Sequence, residues 1–496
     1  MALPQHAAHG LPAADTGFFG HPRGLSTLFF TEMWERFSYY GMRALLILFM
    51  IAPVSQKGLG FPISKAGAIY GLYTAMVYLL SLPGGWMADR LIGQRRSVLY
   101  GGILIAMGHY SLAIPDIRTF YLGLVLIVLG TGGLKPNVST MVGKLYGDND
   151  HRRDAGFSLF YMGINIGALT APLLCGYLGE KINWHLGFAL AGVGMTLGLI
   201  QYVLGGRYLG EIGLRPVAAA DPIRAQKQKR YFLLGTGIVG TLIFAAFTLS
   251  FAGLLNIDIA EVGDAGGVIL SVTVLCVFSW IFLAGKWTKV ERRRLLAILI
   301  LFIAACLFWA AYEQAGSTLN LFADKNTRLT LLGYAYPASW FQSLNSLYIL
   351  ALAPFFAWLW VWLGPKDPSS PAKFAAGLVF VGLGFAILIP VATGARVSPL
   401  WLILTYLLHT IGELLLSPVG LSAMTKLAPA RVASLMMGVW FLADSVGNYI
   451  GGRVASVYNT FPLPELFAIV AGFTILAGLV MAVLIRPIKK LMEGVN

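Results

Sequence analysis

Apolar residues run through this chain in stretches of about twenty, from near one end to the other. Short polar or glycine- and proline-rich breaks separate them. Such a stretch, at ~1.5 Å rise per residue, crosses a hydrocarbon core of ~30 Å as a helix. The pattern predicts fourteen helices, at roughly 26–51, 66–88, 97–114, 120–143, 154–178, 185–208, 231–254, 266–285, 294–316, 338–363, 374–392, 399–424, 433–458 and 464–486. The expected class is therefore an all-α membrane protein. A water-soluble enzyme could not hide these runs.

Composition agrees. Over 496 residues the mean hydropathy is +0.73, with 57% hydrophobic and only 12% charged residues. A soluble domain carries roughly twice that share of charge, because its surface faces water. The net charge of +14 does not point to nucleic acid, since the basic residues are dispersed through short loops and form no basic domain. They sort by side instead. Of 36 Lys and Arg, 25 fall in the termini and alternate loops of one side, 7 in the loops of the other, and Arg36, Arg43, Lys135 and Arg453 lie inside helices. Basic loops stay in the cytoplasm, so both termini are expected there, in a bacterial inner (plasma) membrane surrounded by lipid. Residues 1–24 hold no apolar run of a cleavable signal.

The longest polar stretch, 209–230, is followed by an apolar hairpin, 231–285, whose connecting turn holds Asp258, Glu261 and Asp264. The hairpin carries no buried charge and reads as an insertion. The expected layout is a tail at 1–25, a six-helix bundle at 26–208, a linker and inserted hairpin at 209–293, a second six-helix bundle at 294–486, and a tail at 487–496. Two six-helix bundles about a central site are the architecture of the major facilitator fold. The loop GGWMADRLIGQRRS, with Gly85, Asp89, Arg90, Gly93, Arg95 and Arg96, resembles the G-x-x-x-D-R-x-x-G-R-R signature of that superfamily. Its expected role is gating.

Chemistry concentrates on the first helix. In EMWERFSYYGMR, residues 32–43, the side chains of Glu32, Glu35, Arg36, Tyr39, Tyr40 and Arg43 share one helical stripe, which climbs ~16 Å. Ionised groups inside a bilayer are costly and face a bundle interior or a wet cavity. The stripe is thus a cavity wall with internal pairing; the bland alternative is a structural ion-pair network. Lys135 lies on the fourth helix among glycines and beside Pro136, Glu413 mid-helix in HTIGELLLSPVG, and Glu313 near a helix end in FWAAYEQAGS. A buried lysine is readily deprotonated unless paired, so Lys135 can sense a nearby proton, and each of the two carboxylates is a candidate proton or cation site. Asp444 and Arg453 read as packing or hinge groups. His409 reads as a core or lining histidine. Cys175, Cys276 and Cys306 show no C-x-x-C spacing and read as packing residues. No histidine pair has metal-ligand spacing.

The first-helix segment matches E-x-x-E-R-F-x-Y-Y-G, and Phe160-Tyr161-Met-Gly-Ile164-Asn165-Ile-Gly167-Ala-Leu169 is similar to F-Y-x-x-I-N-x-G-x-L. Both resemble the signatures of the proton-dependent oligopeptide transporters, and the likeness extends over essentially the whole chain, hairpin included. The resemblance implies a proton-coupled importer of di- and tripeptides that needs no cofactor beyond the proton gradient and works as a monomer. It implies that Arg43, Lys135 and Tyr40 hold the peptide carboxylate, and Asn165, Asn345 and Glu413 its amino end. Tyr78, Tyr161, Trp309 and Trp440 would line side-chain pockets. Glu32, Glu35 and Arg36, with Lys135 and Glu313, would couple protons. Arg43–Glu313 and Lys135–Glu413 would form two gates. One position departs: some members carry a second acid beside Glu313, where this chain has Tyr312.

Two rivals follow from the same residues. The scaffold could carry another solute, nitrate or a peptide-like drug; loss of the helix-one acids would be the expected sign, and both are present. A membrane-embedded enzyme would need a metal-binding histidine cluster or a nucleophile with its base, and the sequence offers neither.

Overall fold

The computed structural model describes residues 15–147, 150–216, 222–254, 259–283, 285–331, 333–429 and 432–495. Asp258, placed in the hairpin's connecting turn above, lies outside the described residues, as does most of the N-terminal tail.

Helices follow one another in order: α1 (Arg23–Ile51), α2 (Ile63–Leu79), α3 (Ser81–Met87), α4 (Gln94–Leu112), α5 (Ile117–Lys144), α6 (Arg153–Tyr177), α7 (Trp184–Gly205), α8 (Pro222–Phe251), α9 (Ile259–Leu283) and α10 (Lys289–Tyr312). After them come α11 (Thr318–Asn326), α12 (Ser343–Leu363), α13 (Ser370–Ala386), α14 (Leu400–Leu427), α15 (Ala433–Ser456), α16 (Leu463–Val483) and α17 (Ile485–Leu491). A two-residue antiparallel ribbon, Thr330–Leu331 with Tyr334–Ala335, lies between α11 and α12. Every one of the fourteen apolar segments carries a helix. Ten spans among the described residues are long and apolar enough to cross a membrane by length and composition. Helix α1 falls outside that group because it carries Arg23, Glu32, Glu35, Arg36 and Arg43. Large apolar side chains such as Val361, Val483 and Phe244 are more than 70% exposed. On a helix that crosses a bilayer this is hydrocarbon contact, and the chain is a multi-pass membrane protein.

Residue chemistry sets the helix ends. Pro83 cannot donate to the carbonyl four residues back, and the second apolar run accordingly breaks at Leu80, between α2 and α3. Asp116 caps α5, its carboxylate accepting from the Arg118 and Thr119 amides. Thr288 and Glu291 form a reciprocal capping box on α10, which satisfies two amide donors at that end. At the other end α10 stops at Tyr312 and tightens into a 3-10 turn, Glu313–Gly316.

The chain divides into two compact units. The first comprises residues 1–40, 80–168 and 188–258. Its core packs Leu25 and Leu28 of α1 against Val98 and Ile105 of α4 and Leu134, Val138 and Met141 of α5. Helices α4 and α5 approach through glycine: a methyl at Gly101 would lie 2.5 Å from the Gly130 carbonyl oxygen, and one at Gly130 2.5 Å from that of Gly101. Such small-residue contacts let backbones pack closely where lipid supplies no hydrophobic drive between helices. Beyond α5, Arg152 donates to Asp150 (2.8 Å) and to the Gly20 carbonyl (3.2 Å), and His21 meets the Tyr146 hydroxyl at 2.9 Å. The hydrogen bonds from Arg152 hold the half-buried Asp150 carboxyl down to about 2.

The second unit comprises residues 41–79, 169–187 and 259–496. Here Gly71 of α2 and Gly452 of α15 meet backbone to backbone. Glu180 accepts from the Ala338 and Ser339 amides at 2.8 and 2.9 Å, which closes the start of the 3-10 turn leading into α12.

Some connections differ from the sequence reading. Glu261 and Asp264 sit in the opening turns of α9, and Asp264 pairs with Arg453 at 3.1 Å on an exposed face. Arg453 is thereby an ion-pair partner of the hairpin. Asp444 is buried and accepts from Asn448 at 2.8 Å. Cys175 and Cys306 are buried, as packing residues should be, but Cys276 is exposed, because most of α9 faces outward.

Candidate functional site

In the first unit the stripe on α1 closes on itself. The Arg36 guanidinium reaches Glu32 at 2.9 Å and Glu35 at 2.7 Å, with all three side chains at most 4% exposed. Its charge also lies over the Tyr39 ring, 5.6 Å from the centroid. The four-residue spacing sets Glu32 and Arg36 on one face, and Glu35 reaches the same guanidinium from the adjacent position. Lys135 of α5 acts electrostatically on Glu35. Two carboxylates thus share a buried environment with two cations, the arrangement in which gaining or losing one proton changes every pairing. Asn165 is buried and donates to the Tyr161 carbonyl one turn back at 2.9 Å. Tyr161 is 40% exposed, and Tyr40 packs edge to face on Tyr39.

In the second unit α1 continues to Arg43, which pairs with Glu313 at 2.6 Å; both side chains are 5% exposed. Arg43 Nε also lies 2.8 Å from the Tyr70 hydroxyl of α2. The 3-10 turn after α10 makes this approach possible. Gly316 borders both groups, and a methyl there would lie 2.7 Å from Arg43 Nε and would meet the Tyr70 hydroxyl. Removing one partner of such a buried pair costs roughly 3–5 kcal/mol, because the other charge is left uncompensated.

Glu413 of α14 is the third charged centre. Asn345 of α12 donates to its Oε2 at 2.8 Å and the Tyr312 hydroxyl donates to the same oxygen at 2.5 Å. Asn345 also donates to Thr410 at 3.1 Å. Arg43 and Glu313 both lie within electrostatic reach of Glu413. Aromatic rings pack around the Tyr312 that reaches it: Trp309 stands edge to face with Tyr312 and with Trp440, and Phe308 stacks on Tyr312. His409 is buried between the rings of Tyr312 and Phe385. Tyr78 faces Phe441 at 6.5 Å. This unit therefore holds a buried cation and a hydrogen-bonded anion among aromatic rings, the equipment for recognising a small zwitterion.

The sequence model of the POT family matches residues 95–469. The chain belongs to the POT family. A peptide transporter of Yersinia enterocolitica is 43% identical, with 96% of each chain covered. A di-/tripeptide transporter of Lactococcus lactis subsp. cremoris is 41% identical, over 97% of this chain and 98% of that one. A solved structure of the peptide transporter POT in complex with sulfate superposes with a TM-score of 0.91 at 44% identity, covering 98% of this chain and 99% of that one. The fold is accordingly that of the major facilitator transporters, and the POT family and these neighbours are transporters rather than enzymes.

For this POT-family chain the geometry brings together Glu32, Glu35 and Arg36, then Arg43 with Glu313, Asn345 with Glu413, and Trp309 with Trp440. Lys135 and Asn165 belong to the first unit, Glu413 and Asn345 to the second. Two polar neighbours were not singled out by sequence reasoning, Tyr70 on Arg43 and Thr410 on the Glu413–Asn345 pair; Tyr312, noted there only for standing where some members carry an acid, donates to Glu413. The signal for Tyr70 is a run of tyrosines, Tyr70, Tyr73 and Tyr78, on an otherwise apolar helix. Such a run reads equally well as core.

Proposed function

We propose that the chain is a proton-coupled symporter that imports di- and tripeptides by alternating access. It resides in the bacterial inner membrane as a monomer, with both termini cytoplasmic. The observation that carries the reading is the presence, within one unit, of a buried guanidinium, Arg43, paired with Glu313, and within its electrostatic reach a second carboxylate, Glu413, that has its own hydrogen-bond donors. A peptide offers one fixed negative and one fixed positive end, separated by backbone alone. A wall with one cation and one anion matches those ends and leaves the side chains free, while aromatic rings such as Trp309 and Trp440 accept varied side chains. Lys135, Tyr40, Tyr78, Tyr161 and Asn165 are proposed as further peptide contacts on the family resemblance. The peptide transporters of Yersinia and Lactococcus support the substrate class.

The driving force is assigned to Glu32, Glu35, Arg36, Lys135 and Glu313. One entering proton gains ~2.3 kcal/mol per 100 mV and ~1.4 kcal/mol per pH unit. Together these support accumulation of several hundredfold, at about tenfold per 1.4 kcal/mol.

Competition by end-blocked peptides tests the assignment. A charge-assisted contact contributes roughly 1.5–3 kcal/mol, so losing one weakens competition by roughly tenfold to a hundredfold. C-terminal amidation weakens a dipeptide against the wild type and matters much less against Arg43→Ala. N-acetylation loses its effect in Glu413→Gln. Comparing ligand pairs within one mutant cancels changes in gating. Equal amidation penalties in wild type and Arg43→Ala contradict the assignment of Arg43 and leave Lys135 for the carboxylate. Preference for nitrate over any peptide contradicts the substrate class.

A further inference from the structure

The position where this chain departs from the acid-bearing members, Tyr312, is built into the Glu413 centre. Its hydroxyl donates to Glu413 Oε2, the oxygen that Asn345 also holds. Among the described residues no donor reaches Oε1. One oxygen is therefore doubly occupied and the other is left as the acceptor. The Tyr312 ring is itself fixed. It stacks on Phe308 with centroids 5.5 Å apart and planes 18° apart, stands edge to face with Trp309 at 5.3 Å, and borders His409 at 6.3 Å. A ring so enclosed keeps its hydroxyl in one place. A carboxylate held through one oxygen cannot rotate freely to follow a ligand.

We propose that Tyr312 is a positioning residue for amino-end recognition: with Asn345 it locks Glu413 by Oε2 and presents Oε1 to a primary ammonium. The proposal rests on the reading of Glu413 as the amino-end site and assigns a specificity-determining role to its neighbour. An ammonium arriving at Oε1 finds an acceptor already oriented, so the ordering cost of the carboxylate is met before the ligand binds. An acetylated amino end is uncharged, places an acyl group at that oxygen, and gains nothing from the orientation.

Tyr312→Phe is the direct test, because it removes the hydroxyl and keeps the ring among Phe308, Trp309 and His409. Competition is measured for a free dipeptide, its N-acetyl form and its C-terminal amide against the wild type, Tyr312→Phe, Glu413→Gln and the double mutant. The free peptide should compete roughly threefold to tenfold less well in Tyr312→Phe, less than the loss of a direct charged contact, because Asn345 still holds Oε2 and the ammonium keeps its partner. The acetylated form should be unchanged and the amidation penalty preserved. A purely structural role for Tyr312 would weaken all three ligands together. In the Glu413→Gln background the added Tyr312→Phe change should have no further effect on the ratio of free to acetylated peptide. Each ratio is taken on one protein, so it does not depend on how much protein folds. If Tyr312→Phe retains the wild-type ratio of free to acetylated competition, the positioning role is wrong while the amino-end site stands. If the wild type itself shows no preference for the free amine, the reading of Glu413 fails and takes the proposal with it.

Discussion

A single guanidinium organises the acids on α1. Arg36 holds Glu32 and Glu35 at 2.9 and 2.7 Å, so neither acid can take up a proton without altering the other's pairing. Replacing either by glutamine keeps shape and hydrogen bonding but removes a titratable group. Glu32→Gln and Glu35→Gln should each abolish gradient-driven uptake while counterflow exchange of labelled peptide remains measurable. Driven uptake that persists in both mutants moves the coupling proton elsewhere, with Glu313 next. The pairing of these residues was legible in the sequence, because charges on one stripe of an apolar helix must find partners away from lipid. Tyr70 and Thr410 were not, because a hydroxyl carries no charge to betray it and becomes significant only once folding brings it to Arg43 or Asn345; Tyr312 stood out as a departure, but its bond to Glu413 did not.

At the scale of elements, most of the fold was readable from apolar run length, since all fourteen segments carry helices. What the runs did not reveal is where helices break. The stop at Tyr312 and the 3-10 turn to Gly316 depend on the packing of α2 and Arg43 around them, not on a local breaker alone. That turn is also the sensitive point. In Gly316→Ala the new methyl meets the Tyr70 hydroxyl and Arg43 Nε. Overpacking of this kind costs roughly 1–3 kcal/mol, and the Arg43–Glu313 pair is displaced with it. The melting temperature of the purified protein should fall and peptide uptake should drop. Adding Tyr70→Phe removes the clashing oxygen and should restore part of both losses. A double mutant no better than Gly316→Ala contradicts this account of the turn. The break at Leu80 splits the run 66–88, expected as one helix, beside Pro83, whereas Pro136, Pro172, Pro354 and Pro418 lie inside continuous helices.

For the molecule as a whole, two features decide function. Exposed apolar faces on α8, α12 and α16 place the chain in a bilayer, and buried charges such as Arg36, Arg43 and Glu313 are paired. The match to the POT family over residues 95–469 agrees with both. The measurement that tests the central claim most directly is uptake of a labelled dipeptide into proteoliposomes with an imposed gradient, alkaline and negative inside. The account predicts accumulation above the external concentration, collapse of that accumulation when an uncoupler is added, and continued exchange of peptide at equal concentrations. Accumulation against a concentration gradient that survives complete uncoupling at an unchanged rate would contradict it.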